Sequence, residues 1–229
     1  IEPKRGAIPL QLAMCLSERH PLEAYQQALK AQALMPDTMD GLSVLCNLAS
    51  MLGRHAEALE WAERCEAKHG VVGEVCHNKS FALFALGRWT EAWRELKPSL
   101  GMENRKKRNY HVGKETPRWN PAKHEGAVVV IYGEQGIGDE VMYASMIPAA
   151  IEAARAKGSR VVIECYARNE GLFRRSFPEA TVYGTLREGY CEWPTHEGVT
   201  HRLEMGGLGE FFAPEPFRGG GYLSADRAR

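Results

Sequence analysis

The dipeptide Glu-Ala recurs on a fixed ruler: Glu23-Ala24, Glu57-Ala58 and Glu91-Ala92 lie 34 residues apart. A period of that length constrains the fold more than any composition can. It marks one supersecondary unit that cannot bury its apolar face alone and must stack on its neighbours. The surrounding residues fit a helical hairpin. Arg19-His20-Pro21-Leu22, Gly53-Arg54-His55-Ala56 and Gly87-Arg88-Trp89-Thr90 each read as a turn that opens the second helix. Alanine suits the first turn of that helix because the two helices cross closely there. Gly53 and Gly87 supply a left-handed residue to end the first helix. Pro36 cannot continue the helix before it. The pattern predicts helices over 7–17, 21–34, 40–51, 55–68, 74–86 and 89–97. Cys15, Cys46, Cys65 and Cys76 fall within them and read as buried small hydrophobes.

Beyond Pro98 the period dissolves. Residues 101–125 read as a linker, and its basic run Arg105-Lys106-Lys107-Arg108 reads as a solvated surface or a phosphate or acceptor contact at a domain junction. From Ala127 the periodicity becomes that of strands. Val128 to Tyr132 is a short β-branched run, followed by the loop Gly133-Glu134-Gln135-Gly136-Ile137-Gly138-Asp139 and a helical stretch to Lys157. Further strands are predicted near 160–166 and 181–183, a last strand or loop around 200–205, and a helix near 169–176. Strand, glycine loop, helix, strand opens a doubly wound α/β sheet. The organisation is therefore helical repeats over 1–100, a linker, and a Rossmann-like α/β domain over 126–229.

Charge and composition exclude several partners. Lys plus Arg and Asp plus Glu are 29 each, so no net field favours nucleic acid or an anionic membrane. The longest apolar run, Ala127 to Tyr132, is far short of the roughly 20 residues that span a bilayer. No leader opens the chain, and the expected location is cytoplasmic. The six cysteines form no C-x-x-C and read as reduced thiols. A chain opening at Ile1 reads as cut from something larger.

A glycine-rich strand-to-helix loop lets backbone N–H groups approach an anion or a developing negative charge. Val141 stands where the third glycine of a dinucleotide fingerprint belongs, and no Gly-Lys-Ser/Thr follows as a Walker loop requires. Dinucleotide binding stays open as a lesser alternative through Glu164, placed to take a ribose hydroxyl. The 34-residue unit resembles the tetratricopeptide repeat, although Gln11 and Lys79 occupy places where leucine is usual and repeats one and three read as capping or junction units. The block Tyr132 to Glu140, with Gly158-Ser159-Arg160-Val161-Val162-Ile163-Glu164, Pro117-Arg118-Trp119 and Gly221-Tyr222-Leu223-Ser224-Ala225-Asp226, resembles bacterial proteins in which such repeats precede a glycosyltransferase domain. These are similar to protein O-linked N-acetylglucosaminyltransferases and lipopolysaccharide heptosyltransferases.

The resemblance implies the N-terminal, acceptor-side half of a GT-B fold, with a nucleotide sugar as co-substrate and a C-terminal donor domain missing from these residues. It implies that this portion is inactive alone. Its repeat groove would take a protein or glycan acceptor. By the heptosyltransferase pattern, Asp139 is the base that deprotonates the acceptor hydroxyl, with Glu134, Gln135, Gly136, Ile137 and Gly138 against the substrate. Inverting transfer needs one carboxylate beside the nucleophilic oxygen, held rigidly. An Asp at such a junction is equally an N-terminal helix cap, and the two roles are compatible. No metal or other cofactor is implied: there is no Asp-x-Asp for a metal-held diphosphate. His196-Glu197-Gly198-Val199-Thr200-His201 is one residue too long for H-E-x-x-H. The rival reading from another class is a non-catalytic scaffold whose helical groove binds a peptide.

Overall fold

In a computed structural model of the chain, residues 4–103, 105–185, 191–213 and 221–226 are described. They form two compact units, Ile1–Met102 and Glu103–Arg229. The first unit is three helical hairpins: α1 (Lys4–Leu16) with α2 (Pro21–Leu34), α3 (Met39–Met51) with α4 (His55–His69), and α5 (Gly73–Ala85) with α6 (Trp89–Leu96). Ala24, Ala58 and Ala92 are fully buried where the paired helices cross. Gly53 and Gly87 take φ of 73° and 74° in the turns, a conformation that costs other residues steric strain. Thr38 caps α3, its Oγ1 accepting the Gly41 N–H at 3.2 Å. The core runs through Leu42, Leu45 and Leu48, each burial worth about 1.5–3 kcal/mol.

The hairpins are not identical in register. Residues 17–20 separate α1 from α2, whereas residues 52–54 and 86–88 make the later turns. The extra residue moves α1 by one position. Leu10, not Gln11, is the counterpart of Leu45 and is buried, while Gln11 faces outward. Cys15 moves with it: the sequence expectation of four buried thiols holds for Cys46, Cys65 and Cys76, but Cys15 is exposed. Burial pushes the Cys46 thiol up to about 12 and that of Cys76 up to about 11. Lys79 does stand in a leucine place. Its largely buried ammonium is held by Glu66 at 2.8 Å and Glu95 at 3.4 Å.

The second unit is a four-stranded parallel sheet in the order β3-β2-β1-β4. Its elements are β1 (Val128–Tyr132), α7 (Ile137–Tyr143), α8 (Ile147–Ala156), β2 (Arg160–Glu164), α9 (Ala167–Ser176), β3 (Thr181–Tyr183), α10 (Trp193–Glu197), β4 (His201–Glu204) and α11 (Gly209–Phe212). The single helix expected after the glycine loop arrives as α7 and α8 joined by a 3-10 turn, with Pro148 in the first turn of α8, where its missing N–H costs nothing. Helix α10 is an addition to the expected elements. It ends at Gly198, so His196 lies on a helix and His201 on a strand.

The stretch 105–119 belongs to this unit. Trp119 N–H donates to the Arg202 carbonyl at 2.8 Å and Arg202 N–H to the Pro117 carbonyl at 2.9 Å. A parallel bridge pairs Arg118 with Arg202 at the outer edge of β4. Such cover answers the liability of an open sheet edge. Trp119 is buried by it.

Candidate functional site

In this strand order the chain turns back across β1, so β2 and β4 flank it on opposite sides. Open α/β sheets bind ligands outside the carboxyl ends of the strands at such a switch point. The loop 133–139 leaves β1 there. Gly133 donates its N–H to the Glu164 carbonyl at 3.0 Å. A Cβ on Gly133 would fall 2.0 Å from Glu140 Oε1, so the loop packs there only as glycine. Gly136 is the N-cap of α7, and its N–H donates to Asp139 Oδ2 at 2.9 Å. The carboxylate thus folds back over the turn from the third helical position. Gln135 Oε1 accepts the Tyr143 hydroxyl at 3.3 Å.

Beneath the loop lie buried carboxylates. Glu134 is 1% exposed and pairs with Arg105, also 1% exposed, at 3.1 Å; it also accepts the Gly206 N–H at 3.1 Å. Burial pushes the Glu134 carboxyl upward, and Arg105 opposes that shift. Glu164 and Glu204 flank Tyr132 in the strand register. Arg108 reaches Glu164 at 2.7 Å, and Tyr110 and Thr185 donate hydroxyls to the same carboxylate. Arg118 holds Glu204 at 2.9 Å and Glu210 at 2.9 Å. Glu140 accepts the Tyr166 N–H at 3.0 Å and the Asn169 amide at 2.9 Å. Tyr132, flanked by acids and fully buried, has its hydroxyl raised by burial first and Glu204 second.

These pairs overturn the solvated reading of the basic run. Arg105 turns inward onto Glu134 in the loop after β1 and Arg108 onto Glu164 at the end of β2, while Lys106 and Lys107 face solvent. The sequence does carry a signal for this. Glu164 ends the apolar run of β2, and a carboxylate buried there requires a cation or hydrogen-bond donors. Of the expected site residues, Gln135, Gly136, Ile137, Gly138 and Asp139 reach the surface together, and Glu134 is turned into the protein. Glu164, the ribose candidate, has its carboxylate taken by Arg108, Tyr110 and Thr185. Glu204 and Gly206 carry no site signal in the sequence, Arg118 enters only through the Pro117-Arg118-Trp119 block, and Arg105 only as part of the basic run. Gly206 and Gly207 close the site from the β4 side: a Cβ on either would meet Glu134 Oε1 at 2.5 Å or Glu204 Oε1 at 2.4 Å. A depression of about 310 Å³ lined by Arg108, Tyr110, His111, Cys191 and their neighbours includes no residue of the 133–139 loop.

No family model matches the chain. Protein FlbA of Caulobacter vibrioides is 32% identical over 106 residues, which is 45% of this chain and 17% of that protein. The chain thus spans under a fifth of the length of that curated relative. Among solved structures, a mutant of the Thermobaculum terrenum O-GlcNAc transferase aligns with a TM-score of 0.39 and 14% identity, over 70% of this chain and 38% of that one. Likeness at that level does not by itself establish a common fold. Among the described residues, no helix is long and apolar enough to cross a membrane.

Proposed function

We propose that the chain is the acceptor-side portion of a nucleotide-sugar-dependent, inverting glycosyltransferase, in which tetratricopeptide-type repeats precede the N-terminal half of a GT-B fold. The observation that carries this reading is the loop at the end of β1. Asp139 is held by the Gly136 N–H at 2.9 Å on a turn braced from below by Glu134, Arg105 and Gly206. A rigid carboxylate at the switch point of a parallel sheet suits a general base, which must sit within hydrogen-bond reach of the hydroxyl it deprotonates. Gln135, Gly136, Ile137 and Gly138 form the exposed rim that would face the acceptor.

On this reading a second α/β half, outside these residues, binds the donor, and the repeats take a protein or glycan acceptor. The test belongs in a protein containing both halves. Asp139→Asn keeps the hydrogen bond to Gly136 but removes the base, so the transfer rate falls by roughly 10²–10⁴ with donor affinity unchanged. Wild-type turnover in that variant ends the assignment. The scaffold reading predicts that no sugar donor is turned over at all while a peptide ligand binds the helical unit.

A further inference from the structure

We propose that the outer face of α1 and α2 is a docking surface for a further helical hairpin, built like α1–α2 and seated as α1–α2 is seated on α3–α4. The argument is continuity with an interface already present. Because of the one-residue shift, α1 positions match α3 at a separation of 35, while α2 matches α4 at 34. In α3, Leu42, Ser43, Cys46 and Ala49 are buried, and in α5 so are Cys76, Ser80 and Leu83. Of the α1 counterparts, Ala7 is half-buried while Ile8, Gln11 and Met14 are exposed: Ile8 is 68% and Met14 57% exposed. Met14 stands where the later hairpins carry fully buried Ala49 and nearly buried Leu83.

The polar contacts across the existing boundary point the same way. Tyr25 of α2 donates its hydroxyl to Glu57 of α4 and accepts the Trp61 indole N–H at 3.2 Å. Asp37, in the turn after α2, is held by Arg64 of α4 at 2.6 Å. Stepping back 34 residues from Glu57 and Arg64 gives Glu23 and Lys30, an acid and a base with the same spacing and on the same helix face. Both are exposed, and neither makes a side-chain hydrogen bond or ion pair among the described residues. A depression of about 450 Å³ includes Glu23 in its lining. The occupant is thereby specified: an amphipathic hairpin whose second helix offers an aromatic hydroxyl or similar donor to Glu23, an acidic turn to Lys30, and an apolar ridge to Ile8 and Met14.

The experiment extends the full chain. A second copy of residues 4–38, carrying Met14→Leu, is placed directly ahead of Lys4, so that a Thr38 again caps the following helix. Peroxide oxidation of the native Met14, read by mass spectrometry, is expected to slow by roughly an order of magnitude, as a side chain exposed only by local opening does. The thermal midpoint should rise, and Ile8→Asp in the extended chain should restore both original values. Unchanged Met14 oxidation overturns the proposal. If the extended chain does not fold, the same 35 residues are supplied as a separate peptide, and failure to protect Met14 in that form also overturns it. Concentration-dependent dimerisation of the unextended chain that protects Met14 would assign the face to a second copy instead.

Discussion

Asp37 shows how much one side chain can be asked to do. It is a non-glycine residue at φ 56°, in a region that Asp and Asn tolerate better than most residues. Burial alone would raise its carboxyl, but hydrogen bonds from Arg64, Gln32 and Lys68 outweigh that and bring it to about 2. The sign follows directly. A carboxyl depressed by folding adds stability that is fully present above its unfolded value near 3.8 and is lost as pH falls through about 2. Asp37→Asn keeps the backbone preference and removes the charge. Urea melts between pH 5 and pH 2 should therefore show a shallower acid limb in the variant than in the parent chain. None of this was legible in the sequence, where Asp37 is one polar residue after a proline. Gln32 is five residues away, but the two cationic partners are 27 and 31 positions away on the next hairpin, and only the stacking of hairpins brings them to it.

At the scale of elements, two glycines of the candidate site have opposite meanings. Gly206 packs against the Glu134–Arg105 pair, and any Cβ there must displace buried charged groups. Gly138 lies in the first turn of α7, without positive φ, and nothing lies within 4 Å of where its Cβ would stand. Gly206→Ala should destabilise by about 1–3 kcal/mol, the usual cost of overpacking. Gly138→Ala should be neutral or stabilising by about 0.4–1 kcal/mol, since alanine favours helix. Chemical denaturation of the two variants checks both. If the loop serves an acceptor, Gly138→Ala also lowers transfer in the two-half protein while leaving the fold intact. The existence of the loop and the strands around it could be read from the local alternation of apolar runs and glycines. Its depth could not: the sequence reading left Glu134 at the substrate, whereas the strand register and the loop after β4 turn it inward.

For the whole molecule, the boundary between units decides what can fold alone. A cut at the start of the apolar strand pattern, near residue 126, removes Arg105, Arg108 and Arg118 and leaves Glu134, Glu164 and Glu204 buried without those cations. Breaking one buried pair costs about 3–5 kcal/mol, and three such losses are comparable with the roughly 5–15 kcal/mol that holds a domain together. Residues 103–229 expressed alone should melt cooperatively by circular dichroism; residues 126–229 should not. The same comparison separates what each level of description determined. The 34-residue period, the hairpin turns, the helix ends at Gly53 and Gly87, and the succession of strand, glycine loop, helical stretch and second strand after Ala127 follow from the sequence by itself, because they depend on residues within a turn or two of one another. The partners of the strand-end glutamates, the inward turn of Arg105 and Arg108, the exposure of Cys15 and the uncovered face of α1 were decided by the tertiary structure. Each depends on where a distant segment lies, and a single extra residue in the turn 17–20 is enough to change which side of a helix meets it.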